Sequence, residues 1–164
     1  MLFRSQGRLD SAALRSRHRL ECFSAIESES VLPGVLDMIH AAQAHGLKLA
    51  IASSSPHSWV DGHAKRLGVF DHFDKVICND DVGIGRTKPN PDLFLLALDQ
   101  LQVQKNEAVV FEDSPNGVLA ANRAGIFVAA VPNHITAQLN LDGADLIIKS
   151  LVDLRLSELM DRMK

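Results

Sequence analysis

The sequence predicts an α/β protein, a parallel sheet with helices on both faces. Two observations carry this. Short apolar runs alternate along the chain with longer segments of helical period, and strands buried on both faces read as unbroken apolar runs. The polar residues able to do chemistry stand just after those runs, where open parallel sheets bind ligands.

Each element has a local reason. After Pro33-Gly34, the residues Val35, Leu36, Met38, Ile39 and Ala42 recur at helical spacing as far as Gly46, which supplies a C-terminal stop. Leu47 to Ala52 is the first strand and ends in Ser53-Ser54-Ser55-Pro56. A helix from about His57 to Leu67 stops at Gly68. Lys75 to Cys78 is a second strand, followed by Asn79-Asp80-Asp81 and a Gly-rich loop. Pro91 to Leu101 is helical by pattern, Ala108 to Phe111 is the third strand, and Pro115 to Ala124 is a helix with Pro at its start and Gly125 at its end. Ile126 to Val131 and Leu146 to Ile148 are the last strands, and a helix over Leu151 to Met163 closes the chain. There is no internal repeat, no low-complexity segment and no long linker.

Composition narrows the class. The 164 residues are enough for one domain with a full core. A net charge of −3 gives no reason to expect nucleic acid or an acidic membrane surface as partner, and no apolar run approaches a membrane span. Cys22 and Cys78 fit no metal spacing and read as free thiols of an intracellular protein. Residues 1–25 are rich in arginine and serine, as organelle transit peptides are. An amphipathic surface helix with Leu9, Ala13, Leu20 and Phe23 inside accounts for the same residues, and a cytoplasmic protein is the expectation.

The residues at the strand ends suggest a chemistry. Ser53 can offer a hydroxyl, and a nearby backbone N–H, to a phosphoryl oxygen, although turn serines are common. Lys88 lies in Lys-Pro-Asn-Pro-Asp, where two prolines restrict the backbone and can hold the ammonium in a fixed place. Glu112-Asp113 is a pair of hard oxygen donors at a tight turn, a set that suits Mg²⁺; the alternative is one acid capping the next helix and the other in water. His57, Trp59 and His63 read as surface or packing residues.

In order, these segments resemble motifs two, three and four of the haloacid dehalogenase superfamily. LAIASSSP, KPNPDLFLLA and VVFEDSPNGVLAANRAG are closest to the beta-phosphoglucomutase-like phosphatases. The resemblance covers about Leu32 to Val152. It implies a Rossmann-like core and Mg²⁺-dependent phosphoryl transfer on a small phosphorylated metabolite. It also implies roles: Ser53 and the backbone N–H of Ser54 on the phosphoryl group, Lys88 offsetting its charge, and Glu112 and Asp113 holding Mg²⁺, with Asp113 the direct ligand. Asn116 and Gly117 receive no catalytic role, and Asp92 is expected to cap the helix after it.

One motif has no counterpart. The family's first motif is a strand ending in Asp-x-Asp-x-Thr or Val, whose first aspartate attacks phosphorus. No Asp-x-Asp occurs in these 164 residues. The resemblance places that strand between those of motifs two and four, so its absence is expected to leave two inner sheet edges unpaired and open to self-association or a protein partner. Residues 1–31 are expected to be the remnant of a helical cap domain on an incomplete core over 32–164, as in a chain shortened at its start. Two readings follow: the back half of a phosphatase or mutase, inactive without its nucleophile, or a non-catalytic form acting through association. A phosphoacceptor receiver domain would need an acidic pair after an early strand, and none is present.

Overall fold

The computed structural model describes residues 26–163. The chain divides between Val31 and Leu32. Of the first unit, residues 26–28 are helical. The amphipathic helix, the transit segment, Cys22 and most of the cap remnant lie outside the described residues.

The unit from Leu32 onward alternates strands and helices. In order these are α1 (Val35–Ala44), β1 (Ala50–Ala52), α2 (His57–Arg66), β2 (Lys75–Ile77), α3 (Asn79–Val82), α4 (Asp92–Leu101), β3 (Val109–Glu112), α5 (Pro115–Ala124), β4 (Phe127–Ala130), β5 (Leu146–Ile147) and α6 (Leu156–Arg162). The glycine stops act as expected. Gly46, Gly68 and Gly125 each follow a helix with positive φ, a conformation that costs glycine no Cβ clash. α5 begins on Ser114, whose Oγ accepts the Gly117 N–H at 3.1 Å, with Pro115 in its first turn.

All strand pairs are parallel, but they form two sheets. β1 pairs with β2, setting Ile51 beside Val76. β3, β4 and β5 form the other sheet, with β4 central. Among the described residues, no strand joins β1 to β3.

Alternation along β3 sorts the core. Val110 packs with Val118, Ala121 and Ala124 of α5 and with Val128 of β4. Val109 and Phe111 point the other way, toward Leu156 and Leu159 of α6 and Ala42 of α1. A third cluster gathers Ile77, Val82, Leu93 and Ala97, against which Ala50 and Ala52 of β1 pack. Ala52 also touches the cluster around Val110, so side chains span the two sheets where backbone hydrogen bonds do not.

Three expectations need correction. The strand expected over Leu47 to Ala52 is regular only from Ala50, where it meets Lys75. The segment after β2 is not all loop, because Asn79 to Val82 make a helical turn closed by reciprocal bonds between Cys78 and Asp81. The C-terminal helix is broken: Leu151–Asp153 form a 3-10 turn, and Leu154 and Arg155 are extended before α6. The break has a packing cause. It buries Leu154 and Leu156 together beside Ala42, a placement that one continuous helix would not give two residues separated by about 200° around its axis.

Candidate active site

The carboxyl ends of β1, β2 and β3 carry the polar residues. Ser53 follows β1; its N–H donates to the Ile77 carbonyl at 2.8 Å, continuing the β1–β2 ladder. Its Oγ accepts the Ser55 N–H at 3.1 Å, which folds the serine loop back on itself. Ser53 is half-buried and Ser54 is exposed.

Lys88 is held by a fastened loop. The Asn90 N–H donates to the Thr87 carbonyl at 2.9 Å, and Asn90 Nδ2 to the Gly85 carbonyl at 2.8 Å. Arg123 of α5 donates to the Pro89 carbonyl at 2.7 Å, and the Lys88–Pro89 peptide is cis. Asp92 does not cap α4. Pro91 occupies the cap position, and the Asp92 carboxylate accepts from Arg86 Nε at 2.7 Å. Lys88 is no exposed loop lysine: its side chain is 14% accessible, its Nζ lies 4.9 Å from the Phe94 ring centroid, and it forms an ion pair with Glu112.

Glu112 is the last residue of β3 and shares a face with Val110, which aims its carboxylate under the first turn of α5. Gly117 lies there, and a Cβ at that position would run into the Glu112 carboxylate. Glu112 Oε2 also accepts from Ser114 Oγ at 3.3 Å. Asp113, the next residue, is exposed, and its Oδ2 accepts from Asn133 Nδ2 at 3.0 Å. Both Glu112 oxygens are therefore engaged, whereas Asp113 keeps Oδ1 open among the described residues. Two adjacent carboxylates with one open hard oxygen fit Mg²⁺, which takes one or two protein carboxylates and completes its shell with water and phosphate oxygens. Gly117 and Asn133 are additions to the expected set. The Gly117 signal was legible as a glycine in a helical first turn; Asn133 is too far along the chain to be linked to Asp113 without the fold.

A second polar group stands at the ends of β1 and β2. Both ring nitrogens of His57 face carboxylates: Nδ1 lies 3.1 Å from Asp61 Oδ1 and Nε2 lies 2.9 Å from Asp81 Oδ2. These bonds, that to Asp61 foremost, raise the imidazole pKa against the opposing effect of burial. Asp81 is shifted down, chiefly because it accepts the Cys78 N–H at 2.7 Å. The Cys78 thiol is buried and is pushed up to about 11, first by burial and then by Asp61, Asp81 and Asp80. Asp80 accepts the His57 N–H at 2.7 Å. Trp59 and His63, also weighed from sequence, stack edge to face at 4.5 Å on α2. A shallow hollow lined by Asn122, Gly125, Ile126, Phe127 and Asp145 lies at the opposite, amino end of β4. No helix among the described residues is long and apolar enough to cross a membrane.

Known proteins share this sequence and fold. The model of the haloacid dehalogenase-like hydrolases matches residues 4–125. The protein YhcW of Bacillus subtilis is 40% identical over 95% of this chain and 70% of its own length. A phosphorylated carbohydrates phosphatase of Thermotoga maritima is 38% identical over 63% of this chain, which spans only 46% of that protein. A variant of CbbY from Rhodobacter sphaeroides, solved in complex with xylulose-(1,5)bisphosphate, superposes with a TM-score of 0.76 at 30% identity, over 96% of this chain and 72% of that one. The parallel α/β architecture and the matched stretch agree, and the chain belongs to the haloacid dehalogenase-like hydrolase family.

Proposed function

We propose that this chain carries the phosphate- and Mg²⁺-binding half of a beta-phosphoglucomutase-like phosphatase for a small phosphorylated metabolite, a sugar phosphate or similar, and that it does not turn substrate over by itself. The observation behind this is the Lys88–Glu112 ion pair at the end of β3, set beside Asp113. It brings the cation of one motif onto the carboxylate of another at one strand edge. Ser53 would bind the phosphoryl oxygens through its hydroxyl, and the Ser54 N–H would add a second donor. Lys88 would swing from Glu112 to offset the phosphoryl charge. Asp113, with Glu112 behind it, would hold Mg²⁺, which when bound would neutralise the anion. Phosphoryl transfer in this family's manner also needs an attacking carboxylate, and with Glu112 and Asp113 given to Lys88 and Mg²⁺ the set leaves none for that covalent step. The absence of any Asp-x-Asp pair from the sequence therefore argues for inactivity. The phosphorylated carbohydrates named for the Thermotoga maritima phosphatase and the xylulose-(1,5)bisphosphate bound in the CbbY variant support the substrate class.

The test uses the purified chain with Mg²⁺, a panel of sugar phosphates and a chromogenic phosphate ester. Turnover is expected to equal that of Asp113→Ala, while inorganic phosphate binds in the presence of Mg²⁺ and loses that dependence in Asp113→Ala. Turnover abolished by Asp113→Ala would refute the inactivity. The same preparation addresses a second reading, a non-catalytic chain acting through association, which the unjoined β1 and β3 favour. Concentration-dependent sedimentation as a dimer supports it, and a monomer at all concentrations removes it.

A further inference from the structure

We propose that His57, Asp61 and Cys78 form a zinc site at the carboxyl ends of β1 and β2, separate from the Glu112–Asp113 edge, with Asp81 orienting the histidine. One ring nitrogen of His57, one carboxylate oxygen of Asp61 and the Cys78 Sγ all lie within 4.8 Å of one another. Around a tetrahedral zinc with bonds of about 2.0–2.3 Å, donor atoms stand roughly 3.3–3.7 Å apart. His57 and Asp61 are already at 3.1 Å, so a small rotation of side chains that are each about one-third exposed completes the group. The mixture of imidazole, carboxylate and thiolate excludes Mg²⁺ and Ca²⁺, which take oxygen, and suits zinc.

The surroundings are those of a histidine ligand. A metal-bound imidazole commonly gives its other N–H to a carboxylate, which fixes the tautomer. Here Nδ1 faces Asp61 at 3.1 Å and Nε2 faces Asp81 at 2.9 Å, so Nδ1 is the nitrogen taken for the metal. Asp81 is itself anchored by the Cys78 N–H, and the Cys78 sulfur accepts the Asp81 N–H, a bond that also suits a thiolate. Asp80 holds the His57 backbone. Two residues after β2 therefore position the ring and main chain of a residue 23 and 24 positions earlier. The alternative is an imidazolium bridging two aspartates to secure the start of α2. That accounts for His57 but not for a buried thiol within 4.8 Å of the same imidazole and carboxylate.

The proton balance is definite. Zinc takes the Nδ1 lone pair, so a protonated His57 releases the Nδ1 proton and keeps Nε2–H on Asp81. The Cys78 thiol releases its proton to become the sulfur ligand. Asp61 binds as the carboxylate, and water fills the fourth position. Each zinc thus frees a thiol proton, together with the His57 proton at any pH where the ring is charged.

Cobalt is the spectroscopic probe. In the 164-residue Cys22→Ser protein, Co²⁺ is expected to give near-ultraviolet thiolate-to-metal absorption and visible bands of tetrahedral intensity, and one equivalent of Zn²⁺ should abolish both. Cys78→Ser should remove the ultraviolet band. His57→Gln and Asp61→Asn, on side chains about one-third exposed, should weaken binding at least tenfold without loss of helical circular dichroism, and Asp81→Asn by about 10- to 100-fold. Asp113→Ala should leave the spectrum unchanged. No thiolate band in folded Cys22→Ser protein, or a band that persists in His57→Gln, overturns the site. The His57 and Asp61 variants decide the matter should Cys78→Ser fail to fold.

Discussion

Gly117 shows how a single residue supports the site. Its missing side chain leaves room for the Glu112 carboxylate beneath α5. Gly117→Ala is therefore expected to displace Glu112 from Lys88 and cost about 1–3 kcal/mol, in the range of overpacked cores. A lowered urea midpoint with an unchanged slope would measure it; an unchanged midpoint would show that Glu112 moves aside freely. Cys78 makes a second prediction. With its pKa near 11 and its sulfur buried, the thiol is almost wholly protonated and shielded at pH 8. In metal-free Cys22→Ser protein, maleimide labelling should follow global unfolding and accelerate with denaturant; fast labelling of native protein would contradict the burial. Ser53, Glu112 and Asp113 do stand at strand ends, where the apolar runs put them, whereas the meeting of Lys88 with Glu112 across 24 residues is a product of the fold. The His57 group was not legible, because its members come from α2 and the end of β2, and only the pairing of β1 with β2 brings those together. The role assigned to Asp92 failed for a related reason: Pro91 already occupied the cap, and Arg86 offered a stronger partner.

At the scale of elements, helix ends were the best-read feature, since proline and glycine act on the backbone whatever the fold around them. The ends of strands depended on partners. β1 loses the first residues of its apolar run because β2 is short, and β5 contracts to Leu146–Ile147 in the same way. Hydrophobic period alone joined Leu151 to Met163, while burial on α1 broke them apart. Gly34 marks that contact. Its φ is +82°, and a Cβ there would lie 2.5 Å from the Val152 nitrogen and 2.6 Å from the Leu151 carbonyl carbon. Gly34→Ala thus combines a left-handed backbone with a collision against main chain that has no soft way to yield. A loss above about 1 kcal/mol is expected, with the 3-10 turn at Leu151–Asp153 displaced from α1. Thermal denaturation and amide chemical-shift changes confined to residues 35–44 and 150–160 would report it, and wild-type stability would refute it.

For the whole unit, the α/β class followed from alternation, and helices do lie on both faces of the strands. The arrangement of strands did not follow from apolar runs, because a run records burial and not the neighbour that shares its hydrogen bonds. The division between β1 and β3 therefore came only from the resemblance to a family with a strand in that place. It has a thermodynamic consequence. Hydrogen bonds running without interruption across a sheet make its strands open together, whereas here the β1–β2 pair and the β3–β4–β5 sheet are coupled by Ala52 and by α4, which packs on β1, β2 and α5. Cooperativity should fail first at that seam. Native-state hydrogen exchange is expected to resolve two opening units, with amides of β4 protected to near the global free energy and those of β1 and β2 released earlier at low denaturant. A single exchange isotherm for all five strands would show that side-chain packing across the seam, from Leu49, Ala52 and α4, transmits the full stability of one half to the other.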